Sequence, residues 1–171
     1  LAPAPAVLGV VSVVLDIVQA YRTPAPVFRR RLGDAPREDR ALITLMVACG
    51  LIFVSQWPGL QRQAFETGED FQMLAGAALF AWLFVMPLIA YALGTLSHLA
   101  ARLFGGRGSA YAARFALFWA LLVASPLWLL WGLMRGFIGT GAQEMVVGAI
   151  AFGAFVVHWT LNLWSAERPR M

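Results

Sequence analysis

The chain has 171 residues, a formal net charge of +4 and a hydrophobic share of 60%. That share exceeds the roughly 45–50% of ordinary globular domains, and the mean hydropathy is +0.71. Composition therefore excludes a soluble globular domain, and the length leaves room for one domain of membrane helices with short connections.

The N-terminal segment, residues 1–40, opens with an apolar stretch, Ala6–Ala20. It is shorter than the ~20 residues that a membrane-spanning helix needs. Its apolar side chains recur at helical spacing, with Asp16 on the other side. We therefore expect an amphipathic, interfacial helix on the cytoplasmic face of the membrane. A fifth, tilted span is the alternative.

A second short helix is predicted to begin at Thr23 and Pro24, because proline is favoured in the first turn of a helix. It carries three consecutive arginines, Arg29, Arg30 and Arg31. At roughly 1 kcal/mol per arginine near anionic headgroups, this surface belt is expected to hold the segment at the membrane. The alternative is that these charges only orient the spans.

Four long apolar stretches follow, which contain no Asp or Lys and one Glu, at the start of the last. They are apolar on all sides, and most reach the ~20 residues that cross ~30 Å of hydrocarbon. The predicted spans are residues 41–57, 73–97, 112–134 and 142–164, followed by a short tail, 165–171. The predicted fold class is all-α: a polytopic membrane bundle of four transmembrane helices over residues 41–164, plus the N-terminal interfacial helix.

The arginines predict the orientation of the spans. All 13 basic residues are arginine, and only Arg62 and Arg135 lie in the first and third connections. Since basic residues near span ends stay cytoplasmic, the N-terminal segment and the C-terminus are expected to be cytoplasmic. We expect a multi-pass protein of a bacterial inner membrane. The single Cys49 rules out an intrachain disulfide.

The second connection has the most distinctive local pattern, Gly105-Gly106-Arg107-Gly108-Ser109. Both adjacent glycines are expected to take left-handed backbone angles that end one helix, with Ser109 capping the next. The same backbone amides, beside Arg107, are a candidate contact for a lipid phosphate or a partner's acidic side chain. A capped turn alone is the alternative.

Two prolines, Pro87 and Pro126, lie near the middles of the second and third spans and predict helix kinks. Ser125 is placed to satisfy a carbonyl that Pro126 leaves free. A hinge is the alternative to a static kink.

Small residues in the second and fourth spans predict close-packing faces. Their representatives are Ala77, Ala81, Gly148 and Gly153. Packing within one chain and association with a partner are both open.

The spans carry few groups for chemistry. No carboxylate pair lies within a span, and no catalytic triad is clustered, so we expect a non-enzymatic protein without catalytic residues, metal or cofactor. Two histidines, His98 and His158, are the only candidates for a bis-histidine haem. Nucleic acid is not expected as a partner, because the arginines follow the membrane faces.

The lead-in Leu15–Trp57, with Tyr21-Arg22-Thr23-Pro24, the glycine turn and Pro126 together resemble the bacterial, alphaproteobacterial branch of the Yip family of Ypt/Rab-interacting-type integral membrane proteins. The resemblance covers about Val14 to Trp164 and implies a small helical bundle. Eukaryotic members engage Ypt/Rab-type GTPases. Their Asp-Leu-Tyr-Gly-Pro segment is absent from this chain, so GTPase binding is not carried over.

These observations favour an accessory, scaffold or adaptor protein that binds another integral membrane protein, membrane lipids or a second copy of itself. A small transporter or lipid-handling protein is the alternative.

The predicted orientation is testable by cysteine labelling. After Cys49 is replaced, a cysteine introduced at Glu66 is expected to react with an impermeant reagent added from outside, whereas one at Gly106 is expected to be protected. The opposite pattern would reverse the orientation.

Overall fold

The computed structural model describes residues 5–168, with side chains from Ser12 onward. The described residues form helices and contain no strand. These helices are α1 (Pro5–Ala20), α2 (Pro24–Leu32), α3 (Glu38–Thr67), α4 (Phe71–Leu103), α5 (Ala110–Phe137) and α6 (Ala142–Glu167). The last four are long and apolar enough to cross a membrane. The predicted fold class is confirmed, and the chain is a multi-pass membrane protein.

The helices extend beyond the predicted spans, because hydrogen bonding along a helix continues where apolar composition stops. Helix α3 begins at Glu38, three residues before the predicted span, and continues past Trp57 to Thr67. The first connection therefore shrinks to Gly68–Asp70, where Gly68 ends α3 with a φ of 75°. Helix α6 continues to Glu167, so the predicted tail begins as helix. The predictions for residues 1–4, in the N-terminal segment, and 169–171, in the tail, lie outside the described residues.

Helix α5 is the centre of the bundle, and it contacts each of the other described helices. In its most apolar stretch 56% of residues are buried, against 11% for α4. Chain direction brings the starts of α3 and α5 together with the ends of α4 and α6. We call this the turn end of the bundle, since it holds the α4–α5 turn, and the other the far end.

Helices α3 and α5 run in the same direction and approach most closely at two glycines. A Cβ on Gly132 would lie 1.7 Å from the carbonyl oxygen of Ser55. A Cβ on Gly136 would lie 2.2 Å from the Cβ of Pro58. Glycines four residues apart allow backbones to meet in a membrane, where van der Waals packing drives helix association. These two positions therefore fix how α3 sits on α5.

Helices α1 and α2 form an antiparallel hairpin that runs alongside α5. The Tyr21 hydroxyl, in the hairpin's turn, donates to the carbonyl of Val123, 2.8 Å away and near the middle of α5. The Phe28 ring lies 6.0 Å from that of Phe115, closer to the turn end. The predicted N-terminal helices are thus present. They pack along the half of α5 nearer the turn end and do not lie across the end of that helix.

The two prolines at mid-span are accommodated in different ways. Ser125 donates to the carbonyl of Leu122, 2.8 Å away, which is the acceptor that Pro126 deprives of its helical partner. This confirms the predicted role of Ser125. Before Pro87, α4 widens into a π-helical turn, Ala81–Val85. That turn spreads the break in hydrogen bonding over several residues.

Replacing Gly132 with alanine is expected to lower the unfolding temperature in detergent, at a cost of about 1–3 kcal/mol or more, because the new methyl group overlaps backbone atoms of α3. The control is Gly50→Ala in α3, where a Cβ meets nothing within 4 Å. It is expected to leave stability unchanged or raise it by up to ~1 kcal/mol, since alanine favours helix. If the two variants unfolded at the same temperature, that result would contradict the close approach of α3 and α5 at Gly132.

Candidate functional site

The α4–α5 turn is closed by backbone hydrogen bonds. The amide of Gly106 donates to the carbonyl of Ala101 at 2.9 Å, and that of Gly105 to the carbonyl of Arg102 at 3.1 Å. Such a pair of bonds requires a left-handed residue after the helix. Gly105 provides it, with a φ of 84°. Gly106 does not have a positive φ, which corrects the expectation that both glycines are left-handed. Position 106 has to be small for another reason, because a side chain there would meet Glu167.

Glu167, at the end of α6, holds the turn. Its Oε1 lies 2.7 Å from Nδ1 of His98 on α4, and its Oε2 accepts from the amide of Gly108 at 2.8 Å. Its backbone carbonyl accepts from the amide of Arg107 at 3.1 Å. His98 and Glu167 are both buried. One residue therefore joins α4, the turn and α6.

These bonds limit the anion contact predicted for the turn. The amides of Gly105, Gly106, Arg107 and Gly108 all donate within the chain, so none is aimed at an outside phosphate. What remains for an anion is the exposed side chain of Arg107. Ser109 caps α5 as predicted, since its hydroxyl accepts from the amide of Ala112 at 3.1 Å.

The predicted arginine belt is largely engaged within the bundle. Arg30 and Arg31 both form ion pairs with the buried carboxylate of Asp16 on α1. The Arg31 guanidinium also lies 5.6 Å from the ring centre of Trp119 on α5. Arg29 donates through Nε to the hydroxyl of Ser165 on α6, 2.9 Å away. A buried carboxylate needs paired charge, and Arg30 and Arg31 supply it, although Arg29 and Arg30 stay exposed.

A polar face of α6 lies against the hairpin. The His158 ring meets that of Tyr21 edge-on, with 5.0 Å between their centres. Burial raises the pKa of the Tyr21 hydroxyl, which donates to the carbonyl of Val123 on α5. Asn162, one turn after His158, is 1% exposed, and its amide has no hydrogen-bond partner among the described residues.

The two histidines have separate neighbours. His98 pairs with Glu167, whereas His158 faces Tyr21. Among residues 5–168, no group of three or more His, Cys, Asp or Glu side chains is placed to hold a metal ion.

The predicted small-residue faces divide into an internal and an open part. A Cβ on Gly148 would lie 2.7 Å from Nε1 of Trp131, so this glycine packs against α5. A Cβ on Gly153 would meet nothing within 4 Å. On α4, Ala77 is exposed and Ala81 half-buried. Gly132 and Gly136 were not among the predicted packing residues, although their four-residue spacing is the usual signal for close helix packing.

An apolar groove separates α4 from α6 at the turn end. It comprises a cavity of about 510 Å³ between Leu93, Phe104 and Trp159. A second cavity of about 390 Å³ shares the Phe104 wall and extends to Arg168. The groove exists because both helices pack on α5 and contact each other little.

Comparison of the chain with protein-family models, curated proteins and solved structures finds no match. The resemblance to the Yip family therefore stays a prediction, and functional inference depends on the geometry of the bundle.

Gly108→Ala is expected to destabilise the protein by about 1–3 kcal/mol, because a Cβ there would overlap neighbouring atoms. It would lie 2.4 Å from the carbonyl oxygen of Ala166. The neighbouring change Arg107→Ala removes an exposed side chain and is expected to leave the fold intact. Thermal unfolding in detergent compares the two. A Gly108→Ala variant as stable as the wild type would refute the attachment of the turn to α6.

Proposed function

We propose that this membrane protein is a non-enzymatic accessory or adaptor protein, which binds another integral membrane protein through the far half of α4, residues 71–85. The observation that carries the proposal is that this half contains no buried residue. This half packs on α3 on one side, and its exposed residues on the other are available for contact in the membrane plane.

The surface of this half suits an apolar transmembrane helix of the partner. Gly76 has open space where a Cβ would lie, and Ala77 beside it is exposed. The rings of Phe80 and Phe84 stack one turn further on, with 5.5 Å between their centres. Small residues let helix backbones approach closely, and adjacent aromatic rings add contact area. The π-helical turn that ends this half is a type often found at functional sites.

The distribution of polar groups supports an adaptor over a solute transporter. Among the described residues, the buried aspartate, glutamate and histidine side chains are Asp16, His98, His158 and Glu167. His98 on α4 and His158 and Glu167 on α6 lie in the halves of their helices that are nearer the turn end. Asp16 pairs with α2. In the far half of α3, the hydroxyl of buried Ser55 donates to its own helix at Ile52. Ions and polar solutes need polar lining across the whole membrane.

The proposal is tested by replacing Gly76 with isoleucine, which keeps α4 apolar but blocks close approach. Wild-type protein extracted from native membranes in a gentle detergent is expected to migrate as a complex with another membrane protein. Gly76→Ile is expected to release that protein, whereas the matched control Gly153→Ile, at an open glycine of α6, is expected to retain it.

Two results would contradict the proposal. A wild-type protein that emerges alone and monomeric has no stable partner. A complex that holds only further copies of this chain makes the occupant a second copy, and the function is then self-association.

A further inference from the structure

We propose that the groove between α4 and α6 is a binding site for one anionic phospholipid, with an acyl chain along the groove and the phosphate at Arg168. This site lies at the turn end, on the half of α4 that the adaptor proposal does not use. Each of the two proposals can therefore be tested independently of the other.

The dimensions of the groove match an acyl chain. Its α4 wall extends from Leu93 to Phe104. At about 1.5 Å per residue, this wall is roughly 16 Å long. That is about half of the ~30 Å hydrocarbon core of a bilayer, the depth of one leaflet. The main cavity of about 510 Å³ lies within the roughly 300–1,000 Å³ of small-molecule sites.

The walls favour an apolar occupant. The polar side chains along the main cavity are Ser97 and Thr160. The Ser97 hydroxyl donates to the carbonyl of Gly94 at 2.8 Å, and the Thr160 hydroxyl to that of Val156 at 2.9 Å. Both donors are thus used within their own helices. Along the main cavity the occupant therefore meets mainly methyl, methylene and aromatic surface, and the indole Nε1 of Trp159 is buried.

The mouth of the groove favours an anionic headgroup. Arg168 lines it, and the guanidinium is held 4.2 Å from the ring centre of Trp164. The carboxylate of neighbouring Glu167 is already paired with His98 and the turn. Within the described part of the chain, neither Arg168 nor the nearby Arg102 and Arg107 forms an ion pair. A phosphate at the mouth supplies the missing negative charge, and arginine binds phosphate through paired hydrogen bonds.

An amphiphile with one charged end and a chain one leaflet long satisfies both parts of the groove. A partner helix is about 10 Å in diameter, which is too wide for a groove formed between two adjacent helices. The surrounding leaflet supplies phospholipid directly. The structure therefore favours lipid as the occupant.

The headgroup is tested with full-length protein reconstituted into vesicles of equal phosphatidylglycerol and phosphatidylcholine. After re-extraction in mild detergent, native mass spectrometry counts the lipids retained. Wild type is expected to keep one phosphatidylglycerol in preference to phosphatidylcholine. Arg168→Gln is expected to lower that preference about tenfold, as loss of a charge-assisted contact implies. The matched control is Arg135→Gln, which removes an arginine 5.4 Å from the Trp131 ring at the far end and is expected to change nothing.

The groove itself is tested by Ala100→Trp, which fills the space between the two helices. This variant is expected to lose the retained lipid whatever its headgroup, whereas Ala92→Trp, on an exposed part of α4 outside the groove, is expected to keep it. Circular dichroism and thermal unfolding confirm that each variant is folded.

Equal retention of both lipids by the wild type, or retention of phosphatidylglycerol by folded Ala100→Trp, would overturn the proposal. Neither result would alter the outcome expected for Gly76→Ile, because that position lies in the other half of α4.

Discussion

The close packing of every other helix on α5 is the constraint on which this fold depends. A bilayer gives helices no hydrophobic reason to associate, so contact has to come from tight van der Waals packing. Helix α5 meets this demand with fully buried Ala116, Ala120 and Ala124, which are spaced four residues apart, and with buried Gly132 eight residues further on. Larger side chains at these positions would hold its neighbours apart. The small residues of α5 thus decide how α3, α4 and α6 are arranged.

The bundle has two unlike halves. At the turn end, charged and polar side chains join the helices, with Asp16 and Glu167 as buried anions that each collect donors from other elements. At the far end α4 packs on α3 and has no buried residue from Phe71 to Val85. The half at the turn end contains the groove that we assign to a lipid, and the far half contains the surface that we assign to a protein partner.

The sequence predicted those features that depend on near neighbours. Ser109 caps the helix that starts beside it, and Ser125 bonds a carbonyl three residues away, so the local pattern is sufficient. The contact between Glu167 and His98 could not be predicted, because the two residues are 69 positions apart and no local pattern in either segment indicates it. Gly148 and Gly153 look alike in the sequence, yet only Gly148 meets Trp131. Helical spacing places Asp16 on the polar side of α1, but its pairing with Arg30 and Arg31 depends on how α1 and α2 pack together.

The hairpin has a consequence for how the protein is made. Tyr21 bonds a residue 102 positions later, and Arg29 one 136 positions later. The hairpin therefore lacks its complete docking surface until α5 and α6 are in place. Asp16 can pair with Arg30 and Arg31 before that, because all three residues lie within the hairpin. The contacts of Tyr21 and Arg29, in contrast, can form only once the spans that hold their partners are present.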